Sequence, residues 1–295
     1  MFGVRIAQPD DRSALHELEA GSPFEYADIL ERGAFYPWWQ MLVITHNERV
    51  VGTISLAIKS ARAGNIALKL GHIFALRVLP DMRRQKVGVK LLLTAERILK
   101  DLSVDAIYAY VGQDNFASQA LFQRQGFEPI TEVAYLEYFQ NRIENAVPVE
   151  IIRSVCATKK VIDAAKEKCF ATTDIEHYLF NSTANPYFLG TFQTKTCTQV
   201  SAWDKDAWLS RLRPGEDGIF CCEISMNSLD DWKTLPISLL QHYPAKNKIT
   251  FIVGRDFVAD AIDSRVMTLN RIESLLTKWL RKPVITDQIF LDIRD

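Results

Sequence analysis

The chain has 295 residues, of which 48% are hydrophobic and 24% charged, and its formal net charge is −1. This balance is typical of a soluble globular protein. No apolar run approaches the roughly 20 residues of a membrane-spanning helix, and the N-terminus lacks a signal-peptide pattern. We therefore expect a cytosolic protein with two domains, residues 1–145 and 146–295, because the length is about twice that of a usual domain.

Cysteine and histidine do not form the spacings of a metal site. The five histidines are scattered, and we expect no metal. The cysteines are odd in number and irregularly spaced, which favours reduced structural thiols. They all lie after residue 150: Cys156, Cys169, Cys197, Cys221 and Cys222.

The first segments predict a mixed α/β order. Gly3–Ala7 is typical of a strand, and a helical run ending at Ala20 follows it. Two further apolar runs, Met41–Thr45 and Arg49–Ala57, flank the polar residues His46–Glu48. This arrangement predicts an antiparallel hairpin.

A basic turn between a strand and a helix is the most informative local pattern. Gly71–Val78 is rich in β-branched and aromatic residues and is followed by Pro80, and helical periodicity begins at Gly88. The amides that begin a helix lack partners within the helix and favour an anion. Residues 77–90 hold five arginines and lysines against the single acid Asp81. The pattern predicts a phosphate cradle.

A second strand–helix unit follows. Ala106–Val111 is typical of a buried strand, and Asp114 or Asn115 would cap a short helix. Gly126 would end that helix, and Phe127 would begin the next strand.

The second half of the sequence also has an α/β pattern, after a break at Asn145–Pro148. The pattern predicts strands at Val149–Arg153, Gly218–Ser225, Lys248–Gly254 and Ile285–Ile293, and helices at Lys159–Cys169 and Phe257–Leu280. No Arg/Gln-x-x-Gly-x-Gly turn occurs after residue 150, and Gly254-Arg255-Asp256 lacks the run of amides that a pyrophosphate needs. We interpret this half as a non-catalytic packing or acceptor-shaping domain.

Two motifs resemble the GNAT N-acetyltransferase superfamily. Arg83-Arg84-Gln85-Lys86-Val87-Gly88 resembles its Arg/Gln-x-x-Gly-x-Gly/Ala turn, with Lys86 where a glycine is usual. If that position requires positive φ, Lys86 must adopt it at a modest cost. Residues 114–127 resemble the family's Asn-x-x-Ala/Ser-x-x-Leu-Tyr-x-x-x-Gly-Phe helix. The resemblance implies a mixed, mostly antiparallel sheet of the GNAT type, and the second half permits an eroded copy of that fold.

The resemblance also implies acetyl-CoA as co-substrate. In family members its pantetheine arm lies between two splayed parallel strands, and Asn115 and Ser118 would face that arm. The aromatic-rich segment Ala20–Gln40 falls where such enzymes place the acceptor-binding wall. The implied cofactor contacts are Leu76, Arg77, Val78, Arg83, Arg84, Gln85, Lys86, Val87, Gly88, Val89, Asn115, Ser118 and Phe122.

The implied mechanism is direct attack of a primary amine on the acetyl thioester. Counting back from the aligned turn puts His72 where histone-type relatives have a glutamate base, and the unperturbed histidine pKa of about 6.5 suits that role. A backbone amide near Leu76 would stabilise the thioester oxygen. Because Phe122 stands where the family often has a tyrosine, the thiolate would be protonated by Tyr110, Tyr135 or water, or would leave unassisted.

The two-part layout resembles plant HOOKLESS-like N-acetyltransferases and is shared by other tandem acetyltransferases, including bacterial ones. The similarity to the HOOKLESS-like proteins rests on three short elements: the strand end Leu76-Arg77-Val78-Leu79-Pro80, the strand Val149–Arg153, and Leu189-Gly190-Thr191-Phe192.

Two other functional classes remain open. Lys86 and Phe122 depart from the family pattern, which would also fit a catalytically weak or inactive acetyl-CoA-binding interaction module. A nucleic-acid-binding role would use the basic turn, but the near-neutral charge of both halves argues against it. The sequence does not identify the acceptor. We expect an amine-bearing small molecule or protein, and neither nucleic acid nor membrane as partner.

Overall fold

The computed structural model describes residues 2–20, 30, 36, 38–63, 66–140, 148–153, 171–172, 188–204, 218–225, 228, 230–254, 258–259 and 267–281. The chain divides into two compact units. Unit 1 contains residues 1–130 and 275–285, and unit 2 contains residues 131–274 and 286–295. The boundary at 145/146 drawn from the sequence stays a prediction.

The described residues form thirteen strands, four α-helices and two short 3-10 turns, at Pro9–Asp11 and Pro80–Met82. The strands are β1 (Phe2–Ile6), β2 (Trp38–His46), β3 (Arg49–Ala63), β4 (Ile66–Val78), β5 (Ala106–Gly112), β6 (Glu128–Phe139), β7 (Ile151–Arg153), β8 (Ala171–Thr172), β9 (Phe188–Thr194), β10 (Gln199–Asp204), β11 (Gly218–Ser225), β12 (Lys248–Gly254) and β13 (Thr268–Trp279). The helices are α1 (Arg12–Glu19), α2 (Val87–Asp101), α3 (Phe116–Arg124) and α4 (Asp231–His242).

The sheet of unit 1 has the strand order β1-β2-β3-β4-β5-β13. The pairs from β1 to β4 are antiparallel, whereas β4 and β5 are parallel. The predicted hairpin is confirmed: β2 and β3 pair up to His46 and Arg49, joined by a two-residue turn. Asn47 and Glu48 both have positive φ in that turn, as the twist of a tight hairpin requires.

Helix α2 packs directly against the backbone of β3 and β4. A Cβ atom at Gly71 would lie 2.8 Å from Leu99 Cδ1, and one at Gly52 would lie 3.2 Å from Leu91 Cδ1. Glycine at these two positions therefore permits the close helix–sheet approach. The helix buries Leu91, Leu92, Ala95 and Leu99 in the core of unit 1.

The last described segment of the chain completes unit 1. Leu276 is buried in the core of this unit, and the Leu280 amide donates to the Asp105 carbonyl at 2.9 Å. Arg281 forms an ion pair with the Asp105 carboxylate at 3.0 Å. Unit 1 is thus built from residues at both ends of the sequence.

The sheet of unit 2 runs β6-β12-β11-β10-β9-β7. Its one parallel pair among the described strands is β11–β12, and its other described pairs are antiparallel. Helix α4 contributes Trp232, Leu235 and Leu239 to a core that also contains Phe251. The strands predicted at Gly218–Ser225 and Lys248–Gly254 are confirmed.

The helix predicted at Phe257–Leu280 is wrong over Thr268–Trp279, which is strand β13, whereas the described residues 258–259 are helical. Ile272, Leu275, Leu276 and Trp279 are spaced at i, i+3, i+4 and i+7, which mimics a helical face. In the structure four consecutive residues, 274–277, are buried, as in a strand covered on both faces. The predictions at Lys159–Cys169 and Ile285–Ile293 lie outside the described residues, as do residues 145–147 of the predicted break.

Candidate active site

The parallel strands β4 and β5 separate at one point. They pair at Leu70–Ala106, Gly71–Ile107 and His72–Tyr108. Beyond His72 and Tyr108 the two strands, both described to their ends at Val78 and Gly112, no longer pair with each other. The backbone groups that face this gap can pair with an extended ligand, as an added strand would.

A β-bulge in β4 lies beside the gap. Ser55 of β3 pairs with Phe74, and Thr53 pairs with Arg77, so β4 has one extra residue between these pairs. Ala75 adopts φ 51°, a left-handed conformation that is rare for a residue with a side chain. Such a bulge changes the direction of the following backbone groups, including the Leu76 amide.

The basic turn has the backbone geometry of an anion cradle. Lys86 has φ 62° and ψ 15°, so the residue in the usual glycine position does adopt the left-handed conformation. Arg84 has φ 64°. Left-handed residues beside right-handed ones point successive amides into one concavity. No side chain caps the following helix at Lys86, so the amides of Val87 and Gly88 remain available to an anion.

The cations of the turn divide into two groups. Arg83, Arg84 and Lys86 are exposed, as is Gln85 between them. Lys90 instead donates to the Phe2 carbonyl at 2.7 Å and ties α2 to β1. The single acid Asp81 forms an ion pair with Arg49 at 3.1 Å, which offsets its charge beside the cradle.

Helices α2 and α3 approach each other at the cradle. A Cβ atom at Gly88 would lie 3.3 Å from Leu121 Cδ2, a tight contact for a larger side chain. Asn115 is the N-cap of α3, and its side-chain oxygen accepts a hydrogen bond from the Ser118 amide at 3.2 Å. Both polar residues predicted to face the pantetheine arm therefore lie in the first turn of α3.

The remaining predicted cofactor residues lie on β4, α2 and α3. Leu76, Arg77 and Val78 are half-buried on the strand segment that borders the gap, and Val89 is half-buried in the first turn of α2. Val87 is buried in the core of unit 1. Phe122 is 3% exposed and packs edge-on against Phe127 at 5.0 Å. The structure thus gives Phe122 a core position.

His72 lies at the point where the strands separate, among aromatic rings. It is 1% exposed, and its ring stacks on Phe74 at 4.8 Å and on Tyr108 at 4.6 Å. Tyr110 meets it edge-on at 6.1 Å. The Tyr36 hydroxyl lies 3.4 Å from His72 Nδ1. This geometry fixes the plane of the imidazole and brings two of the three predicted catalytic residues together.

The third predicted catalytic residue, Tyr135, belongs to unit 2. Its hydroxyl donates to Glu273 Oε2 at 2.8 Å, and Arg271 lies over its ring at 3.9 Å. Burial, and the negative charge of Glu273, raise the pKa of Tyr135 well above its ordinary value. Its phenol therefore stays protonated.

Sequence patterns did not single out two residues beside His72. Tyr36 was one of several aromatics in Ala20–Gln40, a segment of which the structure describes Ala20, Leu30, Tyr36 and Trp38–Gln40. Lys59 is buried and lies 5.1 Å from the Tyr36 ring centre. The only sequence signal for Lys59 was its place in an apolar strand, where a buried lysine is unusual.

In the described part of the chain, no group of histidine, cysteine and acidic residues has the geometry of a metal site. No helix among the described residues is long and apolar enough to span a membrane.

Comparison with known proteins agrees with this architecture. Residues 12–127 match the model of the Acetyltransferase (GNAT) family. No curated protein gives a significant match.

Three solved structures illustrate the structural similarity. A GCN5-related glucosamine N-acetyltransferase region of a fungal multi-domain GH3 beta-N-acetylglucosaminidase aligns with a TM-score of 0.66 at 13% identity, covering 94% of this chain and 38% of that protein. A GCN5-related N-acetyltransferase from Sphaerobacter thermophilus aligns with a TM-score of 0.63 at 12% identity, covering 98% of both chains. A tandem GNAT protein from the clavulanic acid biosynthesis pathway aligns with a TM-score of 0.60 at 14% identity, covering 96% of this chain and 99% of that one.

These likenesses extend over nearly the whole chain and concern its fold, whereas the family match lies within its first half. The chain therefore has the mixed, mostly antiparallel α/β fold of the GNAT type, and its residues 12–127 match that acetyltransferase family.

Proposed function

We propose that the protein is an N-acetyltransferase that moves an acetyl group from acetyl-CoA to a primary amine by direct attack. The observation that carries the proposal is the separation of β4 and β5 immediately after His72 and Tyr108, beside a basic turn with two left-handed residues. The gap for an extended arm and the cradle for its phosphates both lie toward the C-terminal end of β4. Acetyl-CoA is a ligand of that shape and charge.

The residues of the cradle fit a diphosphate. The amides of Val87 and Gly88 begin α2 without a side-chain cap, and the exposed Arg84 and Lys86 add positive charge. Gly88 has no side chain to fill the space before Leu121. Acetyl-CoA would supply the acetyl group as a thioester. The Leu76 amide, beyond the bulge, would donate to the thioester oxygen as negative charge develops there.

His72 would accept the proton of the attacking amine. Nδ1 lies near the Tyr36 hydroxyl, so Nε2 can act as the base when Nδ1 carries the hydrogen. The amine nitrogen bonds to the acetyl carbon, the carbon–sulfur bond breaks, and the electron pair leaves on the thiolate. Of the two tyrosine candidates for the acid we favour Tyr110, because its ring meets His72 edge-on, whereas Tyr135 already donates to Glu273. Water could protonate the thiolate instead, or the thiolate could leave without being protonated.

We propose a cytosolic protein whose second half, residues 146–295, is non-catalytic and binds no acetyl-CoA of its own. The acceptor would be a small molecule or a protein with a primary amine. The HOOKLESS-like resemblance belongs to this proposal, as does the absence of nucleic-acid and membrane partners.

The experiment is an assay of CoA release with a panel of amines, paired with mass spectrometry of the acceptor. The panel contains an amino acid, an aminosugar, a polyamine, a lysine peptide and a peptide with a free N-terminus. We expect thiol release that depends on one class of amine, with a 42 Da gain on that acceptor, as acetylation adds. Tight binding of acetyl-CoA without transfer to any amine would instead indicate a non-catalytic binding module.

A further inference from the structure

Three partly exposed aromatic rings lie around His72. Between ring centres, Phe74 stacks on the imidazole at 4.8 Å, and Tyr110 meets it edge-on at 6.1 Å. Tyr36 lies 6.2 Å from the imidazole and stacks on Phe74 at 5.7 Å. His72 itself is 1% exposed, whereas the three rings are half-buried. The described part of this cluster that a second molecule can touch is therefore aromatic.

The sheet places two of these rings at the border of the cofactor gap. His72 and Tyr108 form the last parallel pair of β4 and β5. Residues two apart on a strand share a face, so Phe74 and Tyr110 lie on the face of His72, one step past that pair. There the two strands no longer pair with each other. An amine that attacks a thioester in the gap from this face would lie against these rings.

The chemistry of this face favours a planar apolar group. A second ring that covers a half-buried ring buries apolar surface, and aromatic pairs are stabilised beyond the area that they bury. The two strands that border the gap contain no aspartate or glutamate, so they offer no counter-charge to a second ammonium group. Desolvating such a charge without a partner is costly. These strands therefore favour an amine with an aromatic group over a polyamine.

We propose that the acceptor is a small primary amine with an aromatic group, whose ring lies against Tyr36, Phe74 and Tyr110. This inference rests on the proposed acetyltransferase function and names the substrate class of the same site. Contact between the rings holds the acceptor in one orientation, and a short linker then carries the amine nitrogen to His72 and the gap.

The first test compares amines on the full-length protein. Phenethylamine has a planar ring and cyclohexylethylamine a puckered ring of similar size, and spermidine represents the polyamines. Assays of CoA release with acetyl-CoA as donor give kcat/KM for each amine. We expect phenethylamine to exceed cyclohexylethylamine by about fivefold and spermidine by at least about tenfold. Equal values for the two ring amines, or a preference for spermidine, would overturn the inference.

The second test is Phe74→Leu, which keeps an apolar side chain and removes the ring. We expect the KM for phenethylamine to rise about fivefold, and the KM for cyclohexylethylamine and the Kd for acetyl-CoA to change less than about twofold. Both amines would use the same base, so a disturbance of His72 alone would lower their kcat values equally. An equal rise in KM for the two amines would overturn the inference.

Phe2→Leu is the matched control for this variant. Phe2 is also half-buried, and its ring lies 4.7 Å from the ring of another histidine, His46, at the other end of the sheet of unit 1. We expect this variant to leave the KM of both amines unchanged. An effect equal to that of Phe74→Leu would overturn the inference.

The outcomes also separate this inference from the proposed function. A wild-type protein that releases CoA with amines that lack a ring, and not with phenethylamine, would remain an acetyltransferase and overturn the inference alone. A wild-type protein that releases CoA with no amine would overturn the proposed function and the inference together.

Discussion

Lys278 Nζ donates to Glu96 Oε2 at 2.9 Å, an ion pair between residues 182 positions apart in the sequence. The same ammonium donates to the Gln125 carbonyl at 2.5 Å, at the C-terminal end of α3. A cation at that position satisfies an unpaired helix carbonyl and interacts favourably with the helix dipole. Lys278 thus connects β13 to both helices that border the proposed cofactor site.

We predict that Lys278→Met lowers the free energy of unfolding by about 2–3 kcal/mol. The Glu96 side chain is 5% exposed and that of Lys278 23%, so the variant leaves a buried carboxylate unpaired. Urea unfolding of the full chain measures the change. Lys233→Met is the control, since its pair with Asp230 is exposed and should contribute less than about 0.5 kcal/mol. Equal effects of the two variants would contradict the prediction.

The Lys278 pair illustrates what sequence patterns can and cannot predict. Local periodicity and turn chemistry predicted the hairpin turn at His46–Glu48, a helix cap at Asp114 or Asn115, and the limits of β12. The structure has the turn at Asn47–Glu48 and the cap at Asn115. They misassigned β13, because its apolar spacing fits a helix and its pairing partners are distant in the chain. Long-range pairs such as Glu96–Lys278 leave no local signal at either residue.

The same distinction applies to the candidate site. The motif spacing predicted the basic turn, and the condition that Lys86 adopt positive φ is met. The roles of this turn and of His72 stay predictions. The neighbours of His72 could not be predicted, because Tyr36 and Tyr108 reach it from distant parts of the sequence. The alternation of a strand does not say which of its residues will lie opposite a histidine.

We predict that Lys86→Gly raises the free energy of unfolding by roughly 0.5–1 kcal/mol. A left-handed conformation costs a residue with a side chain about 1–2 kcal/mol, and glycine avoids this cost while losing some entropy on folding. Lys86→Val should instead destabilise the protein, since a β-branched residue tolerates φ 62° poorly. Denaturant titration of both variants provides the comparison. Equal shifts for glycine and valine would show that the lysine side chain, and not its backbone, determines the effect.

We predict that Gly88→Asp abolishes acetyl-CoA binding. The variant places a carboxylate beside the amides that would hold the diphosphate, and its Cβ would press on Leu121. Isothermal titration calorimetry with acetyl-CoA measures the effect. Gly254→Asp serves as a control, because a Cβ there meets nothing within 4 Å and should leave binding unchanged. Affinity close to that of the wild type in Gly88→Asp would refute the assignment of the cradle.

We predict that His72→Ala lowers kcat by roughly 100-fold, the lower end of general-base effects, with little change in acetyl-CoA affinity. A base acts only when it is neutral, so wild-type activity should fall as the pH decreases through its ionisation. The variant should lose that acidic limb of the pH–rate profile. His46→Ala is a suitable control, since His46 lies at the distant hairpin end of β2. Near-normal turnover with an unchanged acidic limb would leave His72 with a structural role and direct the search for the base to the tyrosines beside it, Tyr36, Tyr108 and Tyr110.

The final prediction is that one acetyl-CoA binds per chain. Unit 2 also has a parallel strand pair, β11–β12, with a helix between its strands in sequence, as β4 and β5 have α2. Its helix, α4, begins with Asp230 and Asp231 where α2 begins with Lys86 and Val87. The Asp231 carboxylate is buried and accepts a hydrogen bond from Thr196 Oγ1 at 2.5 Å.

A buried carboxylate at the start of α4 already supplies the negative charge that the helix dipole favours, and it would repel a diphosphate. Calorimetric titration of the full chain should therefore give a stoichiometry near one, and Gly88→Asp should reduce it to zero. Asp231→Asn, which keeps the shape and removes the charge, should leave the stoichiometry at one, because unit 2 has no counterpart of the basic turn in its described residues. A second site that survives Gly88→Asp would mean that unit 2 binds the cofactor despite its acidic helix start.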